Sequence, residues 1–350
     1  MGRNVVHVTD YTTPYAGSFI PAIAALAREA SRRGDAFTFV VPAISDEAEW
    51  PWRITAARAA LRTVRSPAGL FGAIRSLKPD IVHIHFNGYL VPATLAAIGA
   101  RSRIFWHLHS AMSDTAGLVG HWLRRCKYAW LGSLPEAAIA VSAELGREME
   151  RWGAPASKIR VVANGVDAQR FHAPSGSERA EARRSLGIEP HERVLLFFGR
   201  DPFVKGGDVL EAALRLAPGF TVLAIGAPTA NLARMAESAR VVPVGIALDT
   251  VPLYWAADAL AMPSRLEGAP LAMLEALCCG VPVVASDLPA LTALGGRLPM
   301  VRFFSREDPR ALAEALRSPE TFANAALGAA DRRILSLDRW VERIYEIYDA

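Results

Sequence analysis

Two glutamates eight residues apart stand out as chemistry. In the segment SRLEGAPLAMLEALCCGVPVVAS, residues 264–286, Glu267 lies in a loop-like stretch and Glu275 is the only charged residue between Gly268 and Ser286. Pro270 suits the first turn of a helix, where its missing N–H would be unpaired anyway, and Gly280 suits the exit. A helix is therefore predicted over roughly Pro270 to Cys279. At 100° per residue Glu275 falls about 40° from Leu271 and about 60° from Cys278, inside an apolar sector. An unpaired carboxylate buried there costs several kcal/mol, so it needs a partner. A pair of vicinal hydroxyls such as a ribose offers is one solution, each charge-assisted bond contributing roughly 1.5–3 kcal/mol. The N–H groups at the start of the same helix, with the positive end of its dipole, make an anion site. The expectation is a nucleoside diphosphate laid along this helix, its ribose at Glu275 and its phosphates at the N-terminus.

The elements that must position such a site follow from patterning. Short β-rich runs alternate with Ala/Leu-rich helical stretches: NVVHVTD, then FIPAIAALAREASRRG, then FTFVVP, and onward through DIVHIHF, RIFWHLH, AAIAVS and IRVVANG. After a polar stretch the alternation restarts with RVLLFFGR, FTVLAIG, ARVVPVG, ALAMPS and VPVVAS. Such alternation predicts βαβ units and parallel sheets. The predicted organisation is a first α/β domain over residues 1–170, a linker over 171–190 and a second α/β domain over 191–335. A terminal amphipathic helix follows over 336–350, with Trp340, Ile344 and Ile347 on one face. In open parallel sheets ligands lie beyond the carboxyl ends of the strands. The polar residues there are Asp10, His85, His109, Ser142, Asn164, Arg200, Ser264 and Asp287.

Composition narrows the class. The chain has 350 residues, 51% hydrophobic and 21% charged, which excludes a disordered protein. No apolar run approaches the roughly 18–20 residues of a membrane span. The start, MGRNVVHVTD, reads as a strand closed by Asp10 rather than as a signal peptide, so a cytoplasmic location is expected. Cys126, Cys278 and Cys279 lack metal-ligand spacing and are expected to be buried thiols. Residues 1–170 hold 20 Lys+Arg against 13 Asp+Glu, and the remainder 19 against 22, so the first half is basic and suits an anionic partner. Arg58, Arg62 and Arg65, read as one helix face near Trp50 and Trp52, together with HWLRRCKYAW make an anionic membrane surface a candidate partner. The alternative is a solvated cationic face. Nucleic acid is not expected, because the basic residues are dispersed and no recognition module is present.

The H-x-H pairs His83/His85 and His107/His109 each place two rings on one face of a strand. A metal site is the sharper reading, but no matching set of Asp, Glu, His or Lys follows to complete it. His83 and His107 are expected to be satisfied strand histidines, and His109 alone to be functional.

EGAPLAMLE, followed by GVPVVAS, resembles the E-x(7)-E signature of retaining glycosyltransferases of the family 4 type. FFGRDPFVKGG resembles that family's donor-diphosphate loop, and AVSAELGREM and VVANGVD are similar to its markers at the end of the first domain. The closing W…IY…Y helix is similar to its crossover helix. The matches span nearly the whole chain in the right order. The resemblance implies the GT-B fold, two Rossmann-like domains facing each other across a cleft, with the last helix crossing back to the first domain. It implies that Glu267 contacts donor-sugar hydroxyls and Glu275 the ribose, and that Arg200 and Lys205 bind the donor phosphates and stabilise the leaving charge. Two fixed cations would replace a divalent ion, so no metal and no cofactor are expected, and no D-x-D is present. His109 corresponds to a histidine near the anomeric centre. Gly17, in PYAGSF, corresponds to the loop below the phosphates, with Ala16 where a glycine is common. Gly199, Val244, Gly268, Ala269, Leu271 and Ala272 are expected as further donor-binding positions, and Asn164 is read equally as a donor contact or as a turn residue in NG.

The activity implied is same-face transfer of a sugar from a nucleotide-diphosphate donor to an acceptor hydroxyl on a sugar, glycolipid or small molecule. UDP is favoured over GDP, and base selection is placed on backbone groups near Val242 to Gly245. Two other classes stay open: a non-catalytic GT-B subunit that binds a nucleotide sugar, and a GT-B-fold sugar-nucleotide epimerase.

Overall fold

The structure, a computed structural model, describes residues 2–43, 48–109, 118–245, 247, 249–268, 270–296, 298–322 and 327–350. The chain divides into two compact units, Met1–Gly165 with Leu337–Ala350, and Val166–Ser336.

The first unit is built on seven described strands: β1 (Asn4–Val8), β2 (Ala36–Pro42), β3 (Ala60–Val64), β4 (Ile81–His85), β5 (Arg103–Leu108), β6 (Ala137–Ala140) and β7 (Ile159–Val161). They lie in the order β3-β2-β1-β4-β5-β6-β7, every neighbouring pair parallel. The second unit holds six: β8 (Val194–Phe198), β9 (Thr221–Ile225), β10 (Arg240–Val244), β11 (Ala259–Met262), β12 (Val283–Ser286) and β13 (Val301–Phe304). Their order is β10-β9-β8-β11-β12-β13, again wholly parallel. The central strands read as nearly continuous apolar runs, such as VLLFF in β8, because helices cover both faces. Each sheet reverses its winding once, between β1 and β4 in the first unit and between β8 and β11 in the second. Crevices at such switch points are where open α/β sheets bind ligands.

The terminal helix Leu337–Asp349 belongs to the first unit, although it follows the second in sequence. Its buried face presents Trp340, Val341, Ile344, Tyr345 and Tyr348 to the core formed by Ile23, Leu26, Phe37, Phe39 and Phe105. Ile347, predicted on that face, only packs at its margin. The far end is held by ion pairs from Arg3 (2.6 Å) and Arg33 (3.0 Å) to Asp349, and by Arg103 Nη1 donating to the Tyr348 carbonyl at 2.6 Å.

Residues 171–190, predicted as a linker, are instead part of the second unit. Ser175 and Glu178 form a reciprocal capping box that starts the helix Gly176–Ser185. Within it Arg183 is buried, donating to the carbonyls of Ala256, Glu189, Pro190 and Glu192 and pairing with Asp258 at 2.8 Å. The polar composition that reads as a linker is a set of side chains turned onto backbone carbonyls. The chain crosses between units at 165/166 and returns at 336/337, where Val166 N–H donates to Leu335 O at 2.8 Å. Of the three cysteines, Cys278 and Cys279 are buried as expected, while Cys126 is half-buried.

Ile344 is fully enclosed. Ile344→Ala should lower the stability of the first unit by about 2–5 kcal/mol, the range for a large-to-small core substitution. Calorimetry should show the loss in one transition; an unchanged first-unit melting temperature would contradict the packing of this helix.

Candidate functional site

In the second unit the loop between β8 and the helix Gly207–Leu216 is pressed against the end of β11. Gly199 N–H donates to Ile225 O at 2.9 Å, and a Cβ on Gly199 would lie 2.6 Å from the Phe197 ring. Gly206 adopts φ +68°, and a Cβ there would lie 1.9 Å from Pro263 O, so only glycine fits. That close approach carries Lys205 to the loop after β11. Its Nζ donates to Glu267 Oε1 at 2.7 Å, and the same oxygen accepts from Ser264 Oγ at 2.7 Å. Ser264 is fixed in turn by Ser286 Oγ, which donates to its carbonyl at 2.7 Å. Ser264 was among the polar strand-end residues without a role assigned to it, and Ser286, the last residue of β12, was not singled out; a serine closing an otherwise apolar strand was the available signal. Lys205, Ser264, Glu267, Pro270, Leu271 and Ala272 line a cavity of about 220 Å³. Arg200 lies exposed two residues after β8. On the outer side Arg265 forms a two-pronged pair with Asp208, both contacts 2.8 Å, and its guanidinium stacks on Phe203.

The helix predicted around Glu275 is observed as Leu271–Cys278, with Pro270 at its N-cap. Glu275 is 5% exposed, as its apolar sector requires. Its partner, however, is supplied by the fold. Tyr254 Oη, on the helix Val251–Ala256, donates to Glu275 Oε2 at 2.7 Å. The inference that burial of this carboxylate requires a bound ribose is therefore corrected, because a buried phenol satisfies one oxygen without any ligand. Tyr254 itself is fully buried, and burial beside the carboxylate pushes its pKa well above the ordinary tyrosine value. A tyrosine hydroxyl in an otherwise apolar helix was the overlooked sign of a polar core partner.

The remaining positions divide. Gly268, Leu271 and Ala272 are half-buried at the entrance to the helix; Ala269 lies outside the described residues. Val244 ends the edge strand β10, and its carbonyl already accepts from Gly226 N–H at 2.9 Å. Larger hollows of about 710 and 820 Å³ open at the amino ends of the second unit's strands, around Arg183, Glu192 and Thr221. They lie at the opposite end of the sheet from Lys205 and Glu267.

In the first unit Gly17 takes φ +51° in the loop between β1 and the helix Phe19–Arg33, whose carbonyls at Tyr15 and Ala16 accept from Tyr11 Oη at 2.7 and 3.2 Å. Asn164 is half-buried beyond β7. Asp10, Ser142 and Asp287 hold backbone N–H groups, of Gly88 (2.7 Å), Leu145 (3.2 Å) and Arg306 (2.9 Å), and thus act structurally. Arg58, Arg62 and Arg65 do not share a helix: Arg58 follows the helix Pro51–Ala56 with φ +61°, and Arg62 lies in β3. Trp50 is buried, with its indole N–H donating to Thr13 O at 2.9 Å, while Trp52 is exposed.

His109 emerges at the end of β5, its half-buried ring walled by Phe19, Phe86, His85 and His107. Parallel register sets His7 beside His83 and His85 beside His107, so five imidazoles share one face of the sheet. His7 is the member that the H-x-H spacing does not reveal. His83 is satisfied on both nitrogens, by Tyr348 Oη and by His107 Nδ1 at 3.1 Å, but His107 Nε2 is buried without a partner. The expectation of a satisfied strand histidine holds for His83 and fails for one nitrogen of His107. Burial pushes His7 and His109 down to about 3, and burial with repulsion from neighbouring rings pushes His83, His85 and His107 well below the ordinary histidine value.

Comparison with known proteins adds the family context. Residues 22–170 match the model of Glycosyltransferase Family 4, and residues 192–318 that of Glycosyl transferases group 1. The chain carries two glycosyltransferase-type domains. A D-inositol 3-phosphate glycosyltransferase of Salinispora arenicola is 34% identical over 240 residues, 59% of this chain and 52% of that protein. The chain thus spans about half the length of that relative. Among solved structures, Anabaena Alr3699/HepE in complex with UDP and glucose superposes with a TM-score of 0.85 at 18% identity, covering 99% of each chain. WaaG, a glycosyltransferase involved in lipopolysaccharide biosynthesis, superposes with a TM-score of 0.71 at 14% identity, covering 99% of this chain and 95% of that one. At these identities the likeness is one of fold, and the fold is GT-B. No described helix is long and apolar enough to cross a membrane.

The buried histidines have a consequence for acid stability. Their folded pKa lies below the unfolded value of about 6.5, so below that pH the unfolded chain takes up protons that the native unit refuses. Stability is full above about pH 6.5 and falls by roughly 1.4 kcal/mol per ring per pH unit below it. The first-unit melting temperature should be flat between about pH 8 and 7 and drop steeply below about pH 6; insensitivity down to pH 5 would contradict neutral burial.

Proposed function

We propose that this protein is a retaining, metal-independent glycosyltransferase that moves a sugar from a nucleotide-diphosphate donor, UDP-sugar first, to an acceptor hydroxyl. The observation that carries the reading is the Lys205–Glu267–Ser264 cluster at the entrance of the helix Leu271–Cys278, in a chain whose two domains match glycosyltransferase families. An ammonium has three protons, and Glu267 takes one of them in this structure, so Lys205 can hold the carboxylate and a phosphate oxygen together. Arg200, on the same loop, is assigned the second cation. The bond between the anomeric carbon and the diphosphate oxygen breaks while the acceptor oxygen bonds to that carbon on the same face. The acceptor proton passes to the departing phosphate. Arg200 and Lys205 stabilise the charge that develops on the diphosphate, a contribution worth on the order of 10²–10³ in rate for one preorganised donor. Glu267 is assigned to the donor-sugar hydroxyls. Glu275 is assigned to the ribose, which would share the carboxylate with the Tyr254 hydroxyl. UDP is preferred because the neighbour HepE was solved with UDP and with UDP-glucose. The names of the curated relatives make a phosphorylated polyol the first acceptor to try.

A contact with acidic membrane is proposed on a different basis from the one the sequence suggested. The helix Leu118–Leu131 exposes Trp122 (64%), Leu123 (56%) and Trp130 (79%) beside exposed Arg125. Lys127 is turned inward to Asn87 Oδ1 at 3.1 Å, and its desolvated ammonium is pushed down to about 8, so it contributes little to this surface. Exposed indoles flanked by cations suit an interfacial, anionic lipid surface.

Arg200→Ala is expected to lower kcat by about 10²-fold or more with little change in KM, and Glu275→Ala to raise the donor KM by about tenfold or more. Steady-state kinetics with UDP-sugars would decide, and unchanged kinetics in both variants would reject the assignment. In flotation, recovery should be greater with anionic than with neutral vesicles, and Trp122→Ala with Trp130→Ala should abolish the difference. Equal recovery with both vesicle types would reject the membrane contact.

A further inference from the structure

The five histidines and Tyr348 are joined end to end. Starting inside the sheet, His107 Nδ1 meets His83 Nε2 at 3.1 Å, and His83 Nδ1 meets Tyr348 Oη at 2.5 Å. Tyr348 Oη meets His7 Nε2 at 3.2 Å, His7 Nδ1 meets His85 Nε2 at 2.8 Å, and His85 Nδ1 meets His109 Nε2 at 2.9 Å. Two nitrogens remain, one at each end: His107 Nε2, buried and unpartnered, and His109 Nδ1, at the carboxyl end of β5.

Proton counting restricts this chain to two states. Five neutral imidazoles and one phenol carry six N–H or O–H protons, and five links consume five of them. The sixth sits at one end, because a Tyr348 that accepted from both His83 and His7 would leave its own buried O–H without an acceptor. With every ring protonated on Nδ1, each donates toward His109, the extra N–H appears at His109 Nδ1, and a bare lone pair is left at His107 Nε2. With every ring protonated on Nε2, all five bonds reverse. His109 Nδ1 then holds the lone pair, and His107 buries an N–H with nothing to accept it.

The inner end decides between them. Trp340 Nε1, a group that can only donate, is also buried without a partner, and its ring lies 6.0 Å from that of His107, tilted by 31°. A lone pair at His107 Nε2 suits a neighbourhood that already holds one unmet donor, whereas a protonated Nε2 would bury a second orphan N–H beside the first. At the outer end either state can be satisfied by water or by a ligand. We propose that Trp340 and the His107–His83–Tyr348–His7–His85 chain act as a tautomer relay that holds His109 with its proton on Nδ1, so that it offers an N–H to a ligand oxygen. The depressed histidine pKa values and the raised Tyr348 value keep all six groups neutral, as the proton count requires.

His7, His83, His85, His107, Tyr348 and Trp340 are thereby positioning residues for His109. His109 serves as a hydrogen-bond donor to a sugar or acceptor oxygen and not as a general base, because its outward nitrogen already carries a proton. That catalytic consequence rests on the glycosyl-transfer reading; the tautomer assignment does not. Coordination of a metal by the same rings is a poorer fit. The two triads whose nitrogens lie within 4.8 Å of one another are stacked and already bonded in pairs, so their lone pairs do not converge on one point.

The test is two-bond ¹H–¹⁵N correlation NMR on the full chain labelled with ¹⁵N-histidine at neutral pH. Five rings should show protonated Nδ1 and unprotonated Nε2, the reverse of the form that free histidine favours. An Nε2–H pattern, a mixture in the wild type, or a stoichiometric metal in the purified protein with its ligand nitrogens shifted would overturn the proposal. Tyr348→Phe cuts the chain three links from His109, and Trp340→Phe removes the donor that biases it. Each should convert His109 to a tautomer mixture and lower kcat/KM roughly two- to tenfold, the loss of about one neutral hydrogen bond. An unchanged His109 signal in a folded Tyr348→Phe protein would also overturn the relay, and if both variants fail to fold the wild-type spectrum decides alone. Nδ1–H rings in a protein without transferase activity would reject glycosyl transfer and leave the relay standing. An active enzyme with Nε2–H rings would do the opposite.

Discussion

The second unit's chemistry depends on one ion pair, Lys205 to Glu267 at 2.7 Å. It ties the loop after β8 to the loop after β11, the two strands that flank the switch point of the sheet. The pair exists because Gly206 lets the backbone pass within a distance of Pro263 that any side chain would forbid. Ser264 and Ser286 then remove the remaining freedom of the carboxylate loop. A cation and an anion held at the mouth of a helix N-terminus are a poor stability device, since partly exposed pairs contribute little. They are a good way to fix the position of an ammonium, which is what the proposed phosphate contact of Lys205 requires.

Each unit also solves a problem of burying polarity in a parallel sheet. The second unit encloses Glu275 and answers it with Tyr254. The first encloses a row of imidazoles and answers them with one another and with Tyr348, which the returning terminal helix delivers. In both cases a phenol closes the network. A tyrosine hydroxyl both donates and accepts, and its ring packs as hydrocarbon, so it suits the point where a polar chain meets the core. The terminal helix is therefore more than a lid on apolar side chains, because it supplies a link without which the histidine chain would break in the middle.

Much of this was legible before any coordinates. Alternating patterns predicted two parallel α/β units, and the proline and glycine around LAMLEALC placed its helix within a residue or so at each end. The order of the motifs predicted the fold that the solved neighbours share. Where sequence reading failed, the missing quantity was distance across the fold. The 171–190 stretch looked like a linker because Arg183 and Ser175 are polar by type, and only packing turns them onto carbonyls and N–H groups. The arginines at 58, 62 and 65 looked like a helix face because spacing along the chain was all that could be read.

The sequence by itself determined the strand and helix series, the burial of Glu275 and the pairing of rings within each H-x-H, because these follow from periodicities of two and 3.6 residues that are local. Tertiary structure alone decided who answers Glu275, that Lys205 reaches Glu267, and that His7 and Tyr348 join two separate histidine pairs into one chain. Those partners stand 21, 62 and, between His7 and Tyr348, 341 residues apart. No local rule relates positions so distant; strand register and the return of the last helix bring them within a hydrogen bond.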